Sequence, residues 1–198
     1  MKICSIWRIF KINKGVCKTE INKKLFEEMQ SFDLYQGLNN KIIMMEDRID
    51  NRFYINDLFD LVSCTLLYHQ LIECMMYSLL IHFKYLDELI NNKLSDEKNI
   101  SIDGFANILK KIKKIKYVEF FEEKEELVKV CNKINKLRNK MAHGIINYEE
   151  KEMIRKMNEV KNIYHYIQNM YQTVSIRIFN YIHNEINDFS ILALQESI

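Results

Sequence analysis

The chain is predicted to be all-α, a bundle of long antiparallel helices, and three observations predict it. Pro is absent from the 198 residues and Gly occurs only four times, whereas strand-and-turn folds need more of both. Apolar residues recur at spacings of three and four over long stretches, which is the helical period. The polar breaks between those stretches are short, so consecutive helices must lie side by side.

The elements follow in order. Residues 1–16 carry no decisive pattern and suit a short strand or an arm. Roughly 19–31 and 38–51 read as two modest helices separated by Gly37. A long helix is expected from about Asn56 to Asn91, with Leu58, Val62, Leu66, His69, Glu73, Met76, Leu80 and Phe83 tracing one stripe. Asn91, Asn92, Ser95 and Asn99 to Ser101 form a polar connection. Roughly 103–115 is a short basic helix. A helix over 118–143 carries the stripe Leu127, Val130, Ile134, Leu137 and Met141, and Gly144 suits the left-handed position that often ends a helix. Asn147 to Glu150 resembles a capping box. A last long helix then runs to about Asn187 on the stripe Ile154, Met157, Val160, Tyr164, Ile167, Met170, Val174, Ile178 and Tyr181. Residues 1–55 thus form an N-terminal appendage of short helices, and 56–198 the bundle.

Composition bounds the function. At 48% hydrophobic the chain has material for a core, and a net charge of +2 does not mark a strongly basic nucleic-acid binder. The five cysteines are scattered, with no C-x-x-C pair and no zinc spacing. No metal or cofactor is expected, and the setting is a reducing cytoplasm. The N-terminal apolar run breaks at Arg8, which argues against a signal-peptide core. Asp60, His69, Gln70, Glu73 and His82 interrupt the apolar stretch from Leu58 to Phe83, which argues against a membrane span.

The most informative segment is Leu137-Arg138-Asn139-Lys140-Met141-Ala142-His143-Gly144. An arginine holds phosphate with a rigid, permanently charged fork, an amide both donates and accepts hydrogen bonds, and a histidine moves protons near neutral pH. Asn139 and His143 are four apart and share a helix face. Arg138 and His143 are five apart, about 140° around the axis, so they can converge on one phosphate only at a frayed helix end or across a subunit interface. The same residue types also occur near helix C-termini as surface groups that complement the dipole.

Arg138-Asn139-x-x-x-His143, set within Leu-Arg-Asn-x-x-Ala-His-Gly, resembles the signature of the HEPN superfamily, many of whose members are metal-independent endoribonucleases. The resemblance covers about Asn56 to the C-terminus. It implies that His143 takes the proton from a ribose 2′-OH or protonates the leaving 5′-oxygen, that Arg138 stabilises charge on the phosphate, and that Asn139 positions His143 or the phosphate. The products would carry 2′,3′-cyclic phosphate (or 3′-phosphate) and 5′-hydroxyl ends. Lys136 and Lys140 are candidate RNA contacts. One motif supplies one histidine, and family members pair two motifs across a homodimer to form a composite active site. Small stand-alone members are commonly toxins or anti-phage effectors, which implies a possible antitoxin or regulatory partner. The alternative is a non-catalytic HEPN-like RNA-binding or dimerisation module.

Glu73 lies on an apolar stripe, where a carboxylate needs a partner. Family members often carry a polar residue on the helix facing the motif, so Glu73 is a candidate to orient Arg138 or His143. The other reading is a solvated carboxylate just off the stripe. His69, one turn earlier, can join that cluster or be a satisfied core histidine. Lys110, Lys111, Lys113, Lys114 and Lys116 interleave with apolar residues, and a solvated lysine face is the favoured reading over an RNA track. In one toxin branch of the family a tyrosine two residues after the histidine is modified by a partner. Here position 145 is Ile and Tyr148 is five residues on, which departs from that pattern.

Overall fold

A computed structural model of the chain describes residues 39–53, 57–91, 104–144 and 149–195. These residues form five α-helices and one 3-10 turn, and the fold is all-α. The helices are α1 (Asn39–Phe53), α2 (Leu58–Asn91), α3 (Phe105–Lys113), α4 (Lys124–Gly144) and α5 (Glu150–Gln195), with the 3-10 turn Val118–Phe120 between α3 and α4.

The centre of the bundle is α2. Its Tyr68, Ile72, Met75, Met76, Leu79 and Leu86 are completely buried, and each such apolar side chain contributes on the order of 2 kcal/mol by leaving water. Burial covers most of the circumference because α1, α3, α4 and α5 all pack on this helix, leaving one narrow exposed stripe through Phe59, Ser63, Gln70 and Cys74. Its polar N-terminus is capped locally: Asp57 Oδ1 accepts from the Phe59 amide at 2.8 Å, which satisfies an otherwise orphaned donor. By length and composition α2 could cross a membrane, but 67% of its most apolar window is buried within the bundle. That surface is already taken up by the other helices.

The longest pairing is α2 with α5. Tyr68 stacks on Tyr164 with centroids 4.6 Å apart, and Ser78 meets the Tyr171 hydroxyl at 3.1 Å. Contacts that advance together along both chains mean that α2 and α5 run parallel. Antiparallel packing holds for α4, whose Asn135 lies level with His69 while its leading Phe121 stacks on Phe83, centroids 5.6 Å apart. It also holds between α4 and α5, where Lys133 pairs with Glu159 at 2.6 Å and Glu123 with Arg177 at 3.3 Å. Helix α1 shares the same core through Ile42, Ile49 and Phe53, although it precedes position 56.

Two boundaries differ from the sequence reading. The motif helix starts at Lys124 rather than near 118. Residues Val118 to Phe120 wind as a 3-10 turn, closed by the Phe121 amide donating to the Val118 carbonyl at 3.0 Å. Phe121 is fully buried, and driving that ring onto Phe83 requires the chain to turn before α4 can begin. Helix α5 extends beyond the expected end, to Gln195. The expected elements in residues 1–31, the polar connection after Asn91, most of the capping box and Tyr148 lie outside the described residues.

Candidate functional site

Helix α4 buries Leu127, Cys131, Ile134 and Met141 against its neighbours. That registration fixes where each motif side chain emerges. Arg138 lies three residues after Asn135 and seven after Cys131, near the buried side, and is half-buried. Asn139, Lys140 and His143 are exposed. The Arg138 guanidinium donates to Asn139 Oδ1 at 3.0 Å, so the first two motif residues touch. The structure does not bring His143 to Arg138: they leave the helix about 140° apart, with His143 on the outer face.

Helix α2 meets the motif helix at His69. This residue is buried, and its Nε2 lies 3.1 Å from Asn135 Oδ1. An amide oxygen can only accept, so Nε2 carries the proton and donates. The imidazole also packs edge-on against Phe105 of α3, with centroids 4.8 Å apart. Burial pushes the His69 pKa below its usual value, the Asn135 bond raises it, nearby Arg138 lowers it and Glu73 raises it. Burial is the largest of these, so His69 is neutral at physiological pH. Both Arg138 and Glu73 are close enough for their charges to register on His69.

Glu73 itself is half-buried. Its influence reaches His69 and Cys74, but it forms no hydrogen bond or ion pair with Arg138 or His143 among the described residues. Asn135 was invisible as a site residue in the sequence. Its spacing of three before Arg138 placed it one turn away on a neighbouring face, but only the packing of α2 on α4 reveals its partner.

On α3, Ile108, Leu109 and Ile112 are buried while Lys110, Lys113 and Lys114 are exposed. That is the amphipathic helix with a solvated lysine face. It runs antiparallel to α4, and its lysines lie toward the start of α4, where Lys124 Nζ donates to the Ile115 carbonyl at 2.6 Å. They are therefore remote from His143.

A second polar cluster joins α1, α2 and α5. Glu46, Asp50 and His165 offer donor atoms within 4.8 Å of one another, a set able to hold a cation. Each carboxylate is already engaged. Asp50 accepts from the Tyr68 hydroxyl and pairs with Lys161 at 3.2 Å. Glu46 accepts from the Gln168 amide and faces His165 Nδ1 at 3.4 Å. Partial burial raises the Glu46 pKa, against lowering by Gln168 and His165, and the hydroxyl of Tyr68 is pushed far up by burial and by Asp50. The Lys161 ammonium supplies charge balance, and the cluster fastens α1 to the body of the bundle.

No protein-family model, no curated protein and no solved structure matches the chain.

Proposed function

We propose that the protein is an endoribonuclease that cuts single-stranded RNA through Arg138, Asn139 and His143. The observation that supports the reading most is the state of the motif on α4: a half-buried arginine in contact with an amide, with an exposed histidine on the last turn of the same helix. Arg138 bonds to Asn139 and lies near enough to His69 for its charge to register there. A guanidinium held in this way can stabilise charge on a pentacoordinate phosphate without reorganising during the reaction. His143, free of any hydrogen bond among the described residues, remains available to accept the ribose 2′-proton or to protonate the leaving 5′-oxygen. Asn139 orients the guanidinium. The chemistry needs no redox step, and by resemblance to the HEPN ribonucleases it needs no metal.

The separation of Arg138 from His143 around the helix calls for a second copy. An isologous dimer sets the same patch of each subunit face to face, so that Arg138 of one copy and His143 of the other can reach one phosphate. Toxin or anti-phage activity in the cytoplasm, restrained by an antitoxin, is the setting this reading suits. The same separation favours a second reading, an RNA-binding or dimerisation module without catalysis, if the two motifs never meet.

End-group analysis tests the proposal. Single-stranded RNA incubated with the protein in EDTA is expected to yield 2′,3′-cyclic phosphate and 5′-hydroxyl termini. Intact RNA after prolonged incubation at high protein concentration leaves the binding module as the better reading. Fragments with 5′-phosphate ends contradict the mechanism.

A further inference from the structure

The exposed face of α4 carries more than the motif. Lys129, Lys133, Lys136, Lys140 and His143 are spaced four, three, four and three residues apart. At about 100° per residue they fall within an arc of roughly 80°. All five are exposed, so they form a cationic stripe that ends at His143.

The stripe is not uniform. Lys129 pairs with Glu126 at 3.7 Å and Lys133 with Glu159 at 2.6 Å. Lys136 and Lys140 have no ion pair among the described residues. The uncompensated charge therefore sits in the two turns next to His143, and acidic partners close the stripe beyond Lys136. A solvated lysine face built for helix stability would more naturally place its paired lysines anywhere along its length. Here pairing stops where the motif begins. The location also matters electrostatically. The C-terminal end of a helix carries partial negative charge that opposes an anion, so a phosphate held there needs compensating cations close by.

Resting on the ribonuclease reading, we infer that Lys136 and Lys140 hold the phosphate backbone of a single RNA strand flanking the cut. The strand lies along the outer face of α4, running from His143 toward its N-terminus. Lys136 to His143 spans about 10 Å of helix axis, enough for two successive phosphates of an extended strand, and the Lys133–Glu159 pair marks where the track ends. Lysine binds phosphate as a point charge, so the contact reads backbone and not sequence. The substrate class is thus a short single-stranded segment bound through its charge. A dinucleotide is too short to use the track.

The test separates binding from cutting. Fluorescently labelled 2′-O-methyl oligouridylates, which lack the attacking hydroxyl, are titrated in anisotropy measurements at lengths of two, three, four and six nucleotides. Affinity should rise from two to about four nucleotides and then level off. Lys136→Gln and Lys140→Gln should each weaken binding about five-fold at low salt and reduce the salt slope by about one, and the double variant by about two. Lys113→Gln with Lys114→Gln on α3 should change nothing. The double Lys→Arg variant should bind normally, which guards against a folding effect. Wild-type affinity in the Lys136→Gln/Lys140→Gln protein overturns the inference, as does equal weakening by the α3 variant or no binding by the wild type. A protein that binds in this pattern but never cuts RNA rejects the nuclease reading and keeps the track. One that cuts RNA but ignores both substitutions rejects the track and keeps the nuclease.

Discussion

His69 Nε2 lies 3.1 Å from Asn135 Oδ1, and this bond ties the central helix α2 to the motif helix one turn before Arg138. Its neighbour Tyr68 faces the other way and donates to Asp50 of α1. Two adjacent residues of α2 thus fasten the two sides of the bundle, one to the polar cluster under α1 and the other to the motif.

The His69–Asn135 bond should be measurable by a double-mutant cycle. Asn135→Ala leaves a buried ring N–H without its acceptor and is expected to cost about 1–3 kcal/mol in urea unfolding. His69→Phe with Asn135→Ala should cost less than the sum of the single changes, with a coupling of roughly 1 kcal/mol. Additive effects would mean that the two side chains are independent.

Acid should destabilise the fold in a defined window. Burial lowers the pKa of His69, and that of His82 to about 4. Both are neutral when folded, whereas in the unfolded chain they titrate near the usual value of about 6.5. Below about pH 6.5 the unfolded state binds more protons, so the contribution of each ring is complete above that pH and lost as pH falls through its lowered folded value, about 4 for His82. Urea midpoints should drop across that range, and His82→Gln should flatten the dependence. A flat wild-type profile from pH 7 to 4 contradicts the burial of these rings as neutral groups.

Much of this was legible in the sequence because helical burial follows a fixed period. Val160, Tyr164, Ile167, Val174 and Ile178 are all buried, as their spacing predicts, and the Arg138-Asn139-x-x-x-His143 spacing locates the motif on the last two turns of α4. What spacing cannot supply is the partner across a helix pair. The His69–Asn135 bond joins residues 66 positions apart, and nothing local to either announces the other. The early turn at Phe121 was hidden for a similar reason, because its cause is the Phe83 ring on another helix. The Glu46–Asp50 pair had a visible cue, two acids four apart on a helical stretch, but His165 and Lys161 complete the cluster only through packing of α1 on α5.

Glu73 illustrates the difference. Its place on an apolar stripe suggested a buried carboxylate paired with the motif. With no hydrogen bond or ion pair among the described residues and a half-buried side chain, Glu73→Gln should change stability by less than about 0.5 kcal/mol. Any effect on cleavage should act through the Glu73 charge that His69 feels. A melting temperature lowered by many degrees would show a buried partnership after all.

Assembly is the next point of test. On the proposed ribonuclease reading, Arg138 and His143 of different copies share one site, so light scattering at micromolar concentration should give a homodimer. Mixing Arg138→Ala and His143→Ala subunits should restore part of the activity that each lacks, since one of the two composite sites in the heterodimer is intact. A monomer that still cuts RNA contradicts the shared site.

The most direct measurement is the cleavage rate of single-stranded RNA in EDTA by the wild type, Arg138→Ala and His143→Ala, with helicity followed by circular dichroism. The account predicts that the wild type cuts, that each substitution reduces the rate by at least about 100-fold, and that helical content is unchanged. Cleavage that survives both substitutions, or a wild type that does not cut, contradicts it.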